Sequence, residues 1–536
     1  MGKYVGIDLG TTISAIAYID DNGQPQLIPN KNGERLIPSA VLFGGKKPIV
    51  GERAKTKSVS DPKNYESFVK RHMGDKDYTF TDKSGETYNA ETVSSIILSQ
   101  LKENAEEFLG EKISGAVITV PAYFGDSQRQ ATRDAARLAG IPVLDIINEP
   151  TAAAIAFGTS KNIGDKQKIL VFDFGGGTFD ISILDIDNSN IKVIVTNGDH
   201  QLGGYNIDKI LAEYISEEAK DAGFDVDNDI KARQQIMIAA EKAKKDISFS
   251  ETADITIFVK GEEFELELDR EYFDELIYEI INRTINLMQS TMTKANLKYN
   301  DIDKILLVGG STRIPQVRSK IEECSGIKPS SEVHPDEAVA IGAAFHSIDV
   351  ARKKADGTFN SGMPDELVQE DEKIDIDTGS IPNIEKQYTF QDVISHGIGV
   401  IAYSPHDNKD YNSIIMKANT AIPATVTDDN YAAQAGTDSI HVQITQGDSK
   451  DLNYVKVIGE AVMKIRPRNY NVRLSVSVTC TTDGIIHVHA TDLDRGENGD
   501  EVVPLGEIQI NREKFNMTEE EFHEAENKLH KLNIGD

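Results

Sequence analysis

Asp8 and Asp173 each end an apolar run and are followed at once by glycines and hydroxyls. One copy is Val5-Gly6-Ile7-Asp8-Leu9-Gly10-Thr11-Thr12 and the other is Val171-Phe172-Asp173-Phe174-Gly175-Gly176-Gly177-Thr178, a domain's length further on. A carboxylate so placed suits a hydrated magnesium ion. Glycine lets backbone amides close on a phosphate, because no Cβ intervenes, and threonine hydroxyls add neutral hydrogen bonds to phosphate oxygens. A second β-rich run follows each copy, residues 14–19 and 179–184, so each reads as strand, tight turn and returning strand. One copy alone would more often be an ordinary turn. Two copies point to one nucleotide held between two related halves.

Positioning such loops requires strands and helices in alternation, and residues 1–350 supply them: the β-rich run 116–120 precedes a helix-like stretch from Ser127 to Ala139. With 536 residues the chain predicts roughly three or four domains. Residues 351–391 contain an acid-rich run, 363–377, and read as an acidic insertion and connector, more solvated than packed. From 392 to 512 the pattern has period two: Ile440, Val442 and Ile444 alternate with polar residues, as do Val472, Leu474, Val476 and Val478. Thr482-Asp483-Gly484 then turns the chain toward Ile486, Val488 and Ala490, a hairpin signal in a mostly antiparallel β domain. In residues 513–536, Thr518 and Glu521 form a capping box, and Phe522, Ala525, Leu529 and Leu532 make one apolar helical stripe.

The net charge of −30 disfavours nucleic acid and anionic membrane as partners. Cys324 and Cys480 form no metal or disulfide pattern, which fits a reducing cytoplasm. No signal-like segment precedes the first strand, and no uncharged apolar run is long enough to span a membrane.

Residues 118–158, Ile-Thr-Val-Pro-Ala-Tyr-Phe through Ile-Asn-Glu-Pro-Thr-Ala-Ala-Ala-Ile-Ala-Phe-Gly, add the decisive motifs, together with Asp173-Phe-Gly-Gly-Gly-Thr-Phe-Asp and Val308-Gly-Gly-Ser-Thr-Arg-Ile-Pro. With the first loop they resemble the DnaK-like seventy-kilodalton heat-shock chaperones. The resemblance is most specific over about the first 350 residues and looser through the β domain. It implies a multidomain α/β plus β protein: an actin-like two-lobed ATPase, a linker, a β-sandwich that binds extended apolar peptides, and a short C-terminal helix.

The resemblance carries roles onto individual residues. Lys70, Glu149, Thr178 and Asp180 match the catalytic set: the lysine neutralises charge developing on the γ-phosphoryl oxygens, and the others orient water. Asp8 and Asp173 match residues that organise Mg2+ through water. Thr11, Thr12, Gly175, Gly176 and Gly177 match the two phosphate loops, and Gly10, Gly203 and Gly204 are further nucleotide-binding candidates. Glu241, Lys244, Lys245 and Ser248 match one wall of the adenosine site, and Gly309, Gly310, Ser311, Arg313 and Asp336 the other. ATP and ADP with Mg2+ are the implied ligands, with K+ a further candidate ion. Client polypeptides, a J-domain cochaperone and a nucleotide-exchange factor are the implied partners. For the peptide site, Val400, Tyr431, Ile440 and Val442 are the candidates, although alternating apolar residues in a sandwich are core by default.

Four departures bear on function. Lys245 stands where the family commonly has an arginine against the adenine, and an ammonium offers no planar stack, so weaker ATP affinity is expected. Asp145 replaces a usually basic residue used in linker and J-domain docking, and like charges meeting there would oppose both. The linker reads Tyr388-Thr-Phe-Gln-Asp392-Val393 instead of consecutive leucines, but main-chain pairing tolerates that change. Little of the family's long helical lid follows the sandwich, so rapid peptide exchange is expected. A small-molecule kinase on the same scaffold and an ATP-sensing scaffold with little turnover are the competing readings, because phosphate loops are common to all three. Retention of Lys70, Glu149, Thr178 and Asp180 argues against the scaffold.

Overall fold

The structure is a computed structural model that describes residues 2–45, 47–160, 166–187, 190–330, 332, 334–362, 374, 376–382, 388–494, 503–508 and 517–532. The core of the acidic run, residues 363–373, lies outside the described residues.

Both Asp-Gly segments are hairpins, and each seeds a sheet. In the first lobe the strand order is Val143–Asn148, Lys112–Val120, Gly2–Asp8, Ile13–Ile19, Pro25–Leu27. In the second it is Lys304–Val308, Gln167–Phe174, Phe179–Asp187, Asn190–Asp199. In each, the Asp-bearing strand runs parallel to one neighbour and antiparallel to its hairpin partner. Asp8 pairs with Ala15 and Asp173 with Asp180, so both carboxylates emerge at corresponding strand ends. The first strands are buried through most of their length because helices cover the sheets.

Two helices, Glu149–Ser160 and Ala338–Ala355, cross between the lobes. Gly342 is required at the crossing: a Cβ there would fall 1.7 Å from the Ala152 carbonyl oxygen. The second helix continues to Ala355, past the boundary expected at 350.

The β domain is a sandwich. One sheet runs Lys409–Met416, Ile398–Ser404, Ser439–Gln446, Lys456–Lys464, and the other Ala424–Ala433, Val472–Cys480, Ile486–Asp492, Val503–Ile508. The expected hairpin is present, with Cys480 opposite Ile486 and Gly484 at φ +79°.

The linker forms a strand, Thr389–Val393, that adds in parallel to Asn190–Asp199 at the edge of the second lobe's sheet. Tyr388 is buried and Phe390 half-buried in the apolar cluster between the lobes. Asp392 is buried, and its Oδ2 accepts from Asn148 Nδ2 at 3.0 Å and Thr151 Oγ1 at 2.9 Å. Next to it, Arg129 Nη2 donates to Asn148 Oδ1 at 2.6 Å and Nη1 to the Asp483 carbonyl of the sandwich at 3.3 Å. Arg133 pairs with the Asp483 carboxylate, and Asp126 Oδ1 accepts from Ile486 N at 3.1 Å.

Asp145 corrects the sequence reading. Its carboxyl is buried and faces His346 Nε2 at 2.8 Å instead of meeting another acid at the surface. The His346 ring in turn meets the linker's Phe390 edge-on, with centroids 4.6 Å apart. Toward the linker, Asp145 is thus shielded by His346 and Phe390 instead of facing an acid.

The C-terminal helix, Glu519–Lys531, is capped by the reciprocal Thr518 and Glu521 bonds. Its Phe522, Ala525 and Leu529 are buried in the first lobe's core, with Leu532 half-buried beside them. Arg137 lies over the Phe522 ring at 4.5 Å. Among the described residues no helix is long and apolar enough to cross a membrane.

His396, just past the linker strand, is expected to make docking of the sandwich pH-sensitive. Its ring packs 4.1 Å from that of Tyr123 in the first lobe. Burial, reinforced by His200, Arg129 and Lys294, depresses its pKa to about 4. Exposure on undocking would restore about 6.5, so the undocked form binds the proton more tightly. This group's contribution to docking is therefore fully present above that value and lost progressively as pH falls toward 4. Energy transfer between dyes on the ATPase and sandwich should report at least a tenfold shift toward separation between pH 7.5 and 5. His396→Gln should remove most of that dependence; a distance unchanged with pH in the unsubstituted protein would contradict it.

Candidate functional site

Between the lobes lies a cavity of about 330 Å³. The two hairpin turns meet there so closely that only glycine fits: a Cβ on Gly176 would lie 2.3 Å from the Thr12 side chain, and one on Gly177 2.4 Å from Thr11. Gly10, Thr11, Thr12, Gly175, Gly176 and Thr178 line the cavity. Gly177, Gly203 and Gly204 stand behind that layer and hold it. Gly204 N donates to Gly175 O at 3.0 Å, Tyr205 N to Gly176 O at 2.7 Å, and a Cβ on Gly203 would collide with Gly177.

Asp8, Asp173, Glu149 and Lys70 converge on the same wall. Lys70 sits on a short turn after Phe68, whose φ of 61° is unusual for a residue with a Cβ, and it is buried and ion-paired to Glu149. Asp180 is buried behind the lining, its Oδ1 accepting from Tyr123 N at 3.0 Å. Burial and the neighbouring Glu149 push Asp8 up to about 7 and Asp180 up to about 8, and they raise Asp173 well above the usual carboxylate range. Four acids thus face one ammonium, an excess of negative charge that a divalent cation would relieve. Among the described residues no three His, Cys, Asp or Glu side chains converge as direct ligands. Asp8, which accepts from Thr119 Oγ1 at 3.1 Å, and Asp173 are the carboxylates placed where they could hold a cation through water.

The opposite end of the cavity is lined by Glu241, Lys244, Lys245 and Ser248 on one side and Gly309, Gly310, Ser311, Arg313 and Asp336 on the other. Lys244 is buried and pairs with Asp208 at 2.7 Å. Ser311 Oγ donates to Gly175 O at 2.9 Å, and Arg313 pairs with Asp336 at 2.5 Å. Lys245 is drawn to Glu241 at 2.6 Å. Glu241 also pairs with Lys55 of the first lobe, which closes the cleft across its mouth. Burial disfavours its charge, yet Lys55 and Lys245 hold Glu241 at about 2.

An apolar wall was not singled out from the sequence: Ile13, Ala15, Phe249, Val308, Ile314, Pro335 and Val339 complete the lining. Ile314 lay within the quoted Val308 motif and Phe249 directly after Ser248, so adjacency was the available signal. In the sandwich, Val400 and Val442 are core residues at 3% and 8% exposure, which agrees with the default reading of such strands. Tyr431 and Ile440 are half-buried at the edge of the same core, and Tyr431 donates to Ser413 Oγ at 3.0 Å.

Because Lys55–Glu241 is the charged contact across the cleft mouth, Lys55→Met should loosen closure. Stopped-flow release of a fluorescent ADP analogue should accelerate about tenfold, the effect of losing one partly buried ion pair. An unchanged release rate would show that the pair does not hold the cleft.

The family model described as Hsp70 protein matches residues 4–356 and 364–534. Those spans take in both lobes, the linker strand, the sandwich and the C-terminal helix, so a single family accounts for the nucleotide-type cleft and for the β domain docked beside it. The chain belongs to the Hsp70 family.

Proposed function

We propose that the chain is an ATP-driven chaperone that binds extended apolar segments of client polypeptides and changes its hold on them with the nucleotide in the cleft. Hsp70 proteins are ATP-hydrolysing chaperones that bind clients and cochaperones, which is the family-level background. One observation carries the coupling. Consecutive residues face the two sites: Glu149 pairs with Lys70 in the cleft, while Asn148 donates to Asp392 of the linker and accepts from Arg129, which reaches Asp483 of the sandwich.

In this reading the glycine turns and the hydroxyls of Thr11 and Thr12 bind the phosphates. Asp8 and Asp173 hold hydrated Mg2+, which when bound neutralises phosphate charge, with K+ as an accessory ion. Lys70 stabilises negative charge on the γ-phosphoryl oxygens, while Glu149, Thr178 and Asp180 orient the attacking water. Recruiting Lys70 to phosphate would free Glu149 from it, and the neighbouring Asn148 would carry that change to Asp392 so that the linker strand stays at the sheet edge while ATP is bound. A nucleotide can shift docking only by the difference in its affinity for the two arrangements, and this shared segment supplies one.

Tyr431 and Ile440 form the rim of the proposed peptide cleft, with Val400 and Val442 as its floor. A cytoplasmic location fits two free cysteines. A J-domain protein and an exchange factor complete the cycle, the former meeting a surface from which the Asp145 charge is withdrawn.

A fluorescent leucine-rich peptide provides the test. Its dissociation should be at least tenfold faster with ATP than with ADP, and absence of peptide binding in every nucleotide state would overturn the chaperone reading. Lys70→Ala should lose about 100-fold or more in phosphate release while still binding ATP, the scale expected for removing a charge-stabilising donor. Turnover within a few-fold of the unsubstituted protein would remove Lys70 from catalysis.

A further inference from the structure

We infer that Phe249 is the base-contacting residue of this nucleotide site, its ring providing the flat apolar face that Lys245 does not. The inference rests on the nucleotide reading of the cleft and adds to it the residue that recognises the base.

Phe249 is 75% exposed, an unusual state for so large an apolar side chain in a chain whose other phenylalanines are mostly buried. Isolated exposed aromatics are ordinary on protein surfaces. This one, however, lies on the cavity wall, and it is the only aromatic ring among the described residues that line it. Its position is set by the end of the helix Ile230–Ile247: Phe249 N donates to Asp246 O at 3.0 Å, which turns the chain at Ser248 so that residues 248 and 249 both reach the cavity.

The neighbouring groups leave the ring a distinct task. Lys245 is committed to Glu241, and Arg313 to Asp336, so the cations at this end are already paired. Ile314 and Pro335 offer aliphatic surface on the facing wall. A purine between that surface and the Phe249 ring would cover the exposed aromatic and gain stacking of a kind that serves any base with a π face. The phosphates would meanwhile lie at the far end of the cavity against the glycine turns. Phe249 should therefore matter for nucleosides and not for the phosphate chain.

The test separates those two parts of the ligand. Calorimetric titration should show ADP and ATP binding about tenfold weaker in Phe249→Ala, with tripolyphosphate binding unchanged and Phe249→Tyr restoring the nucleotide affinity. The chain has no tryptophan, so Phe249→Trp places a single indole at the site. Its emission should change on adding ADP and stay constant on adding tripolyphosphate. Equal ADP affinity in Phe249→Ala and the unsubstituted protein, or an indole signal indifferent to ADP, would overturn the assignment while leaving the nucleotide site in place. Failure of the unsubstituted protein to bind ADP or ATP would overturn both.

Discussion

The parallel pairing of Thr389–Val393 with the edge of the second lobe's sheet is the contact on which the relation between the two halves of the molecule depends. A sheet edge presents unpaired amides and carbonyls, and here the linker satisfies them. Main-chain pairing alone would accept many sequences and several registers. Asp392 makes the placement specific, because a buried carboxyl needs partners and finds them in Asn148, Thr151 and the nearby Arg129. Shifting the strand by one residue would carry that carboxyl to the other face and strand it. The sandwich then follows, anchored by Arg129 and Arg133 on Asp483.

The nucleotide cleft is built by the opposite tactic, in which charge is concentrated instead of balanced. Asp8, Asp173, Asp180 and Glu149 are gathered around Lys70, and burial holds three of the carboxyls above their ordinary range. Such a cluster is costly until a cation and a polyphosphate share the site, and that cost makes the ligand's arrival consequential. The glycines at 176 and 177 matter for the same reason: they let the two turns approach until Thr11 and Thr12 touch the opposite loop. Glu149 belongs to the cleft and Asn148 to the linker network, and their adjacency in the chain is the route that the proposed coupling would take.

Much of this was legible in the sequence because the relevant signals are local. The Asp-Gly turns, the period-two strands, the turn at Thr482-Asp483-Gly484 and the Thr518–Glu521 cap each lie within a few residues, and each is found in the structure. The lining residues inferred by resemblance also meet in one cavity, although Asp180, Gly177, Gly203 and Gly204 support it from behind. Long-range pairings were not legible. Asp145 looked like a misplaced charge because its partner, His346, lies far along the chain, and only the fold brings them together beside Phe390. His396 and Tyr123 are likewise joined only by docking. Phe249 carried no motif, and its exposure on the cavity wall is a property of the folded surface.

Hydrogen exchange at the amides of residues 389–393 most directly tests whether the nucleotide governs the linker. Coupling through Glu149, Asn148 and Asp392 predicts that these amides are protected with ATP bound and exchange at least a hundredfold faster with ADP, as the strand leaves the sheet edge. Equal protection in the two nucleotide states would mean that the linker strand is a fixed part of the fold, and the proposed coupling between cleft and sandwich would fail.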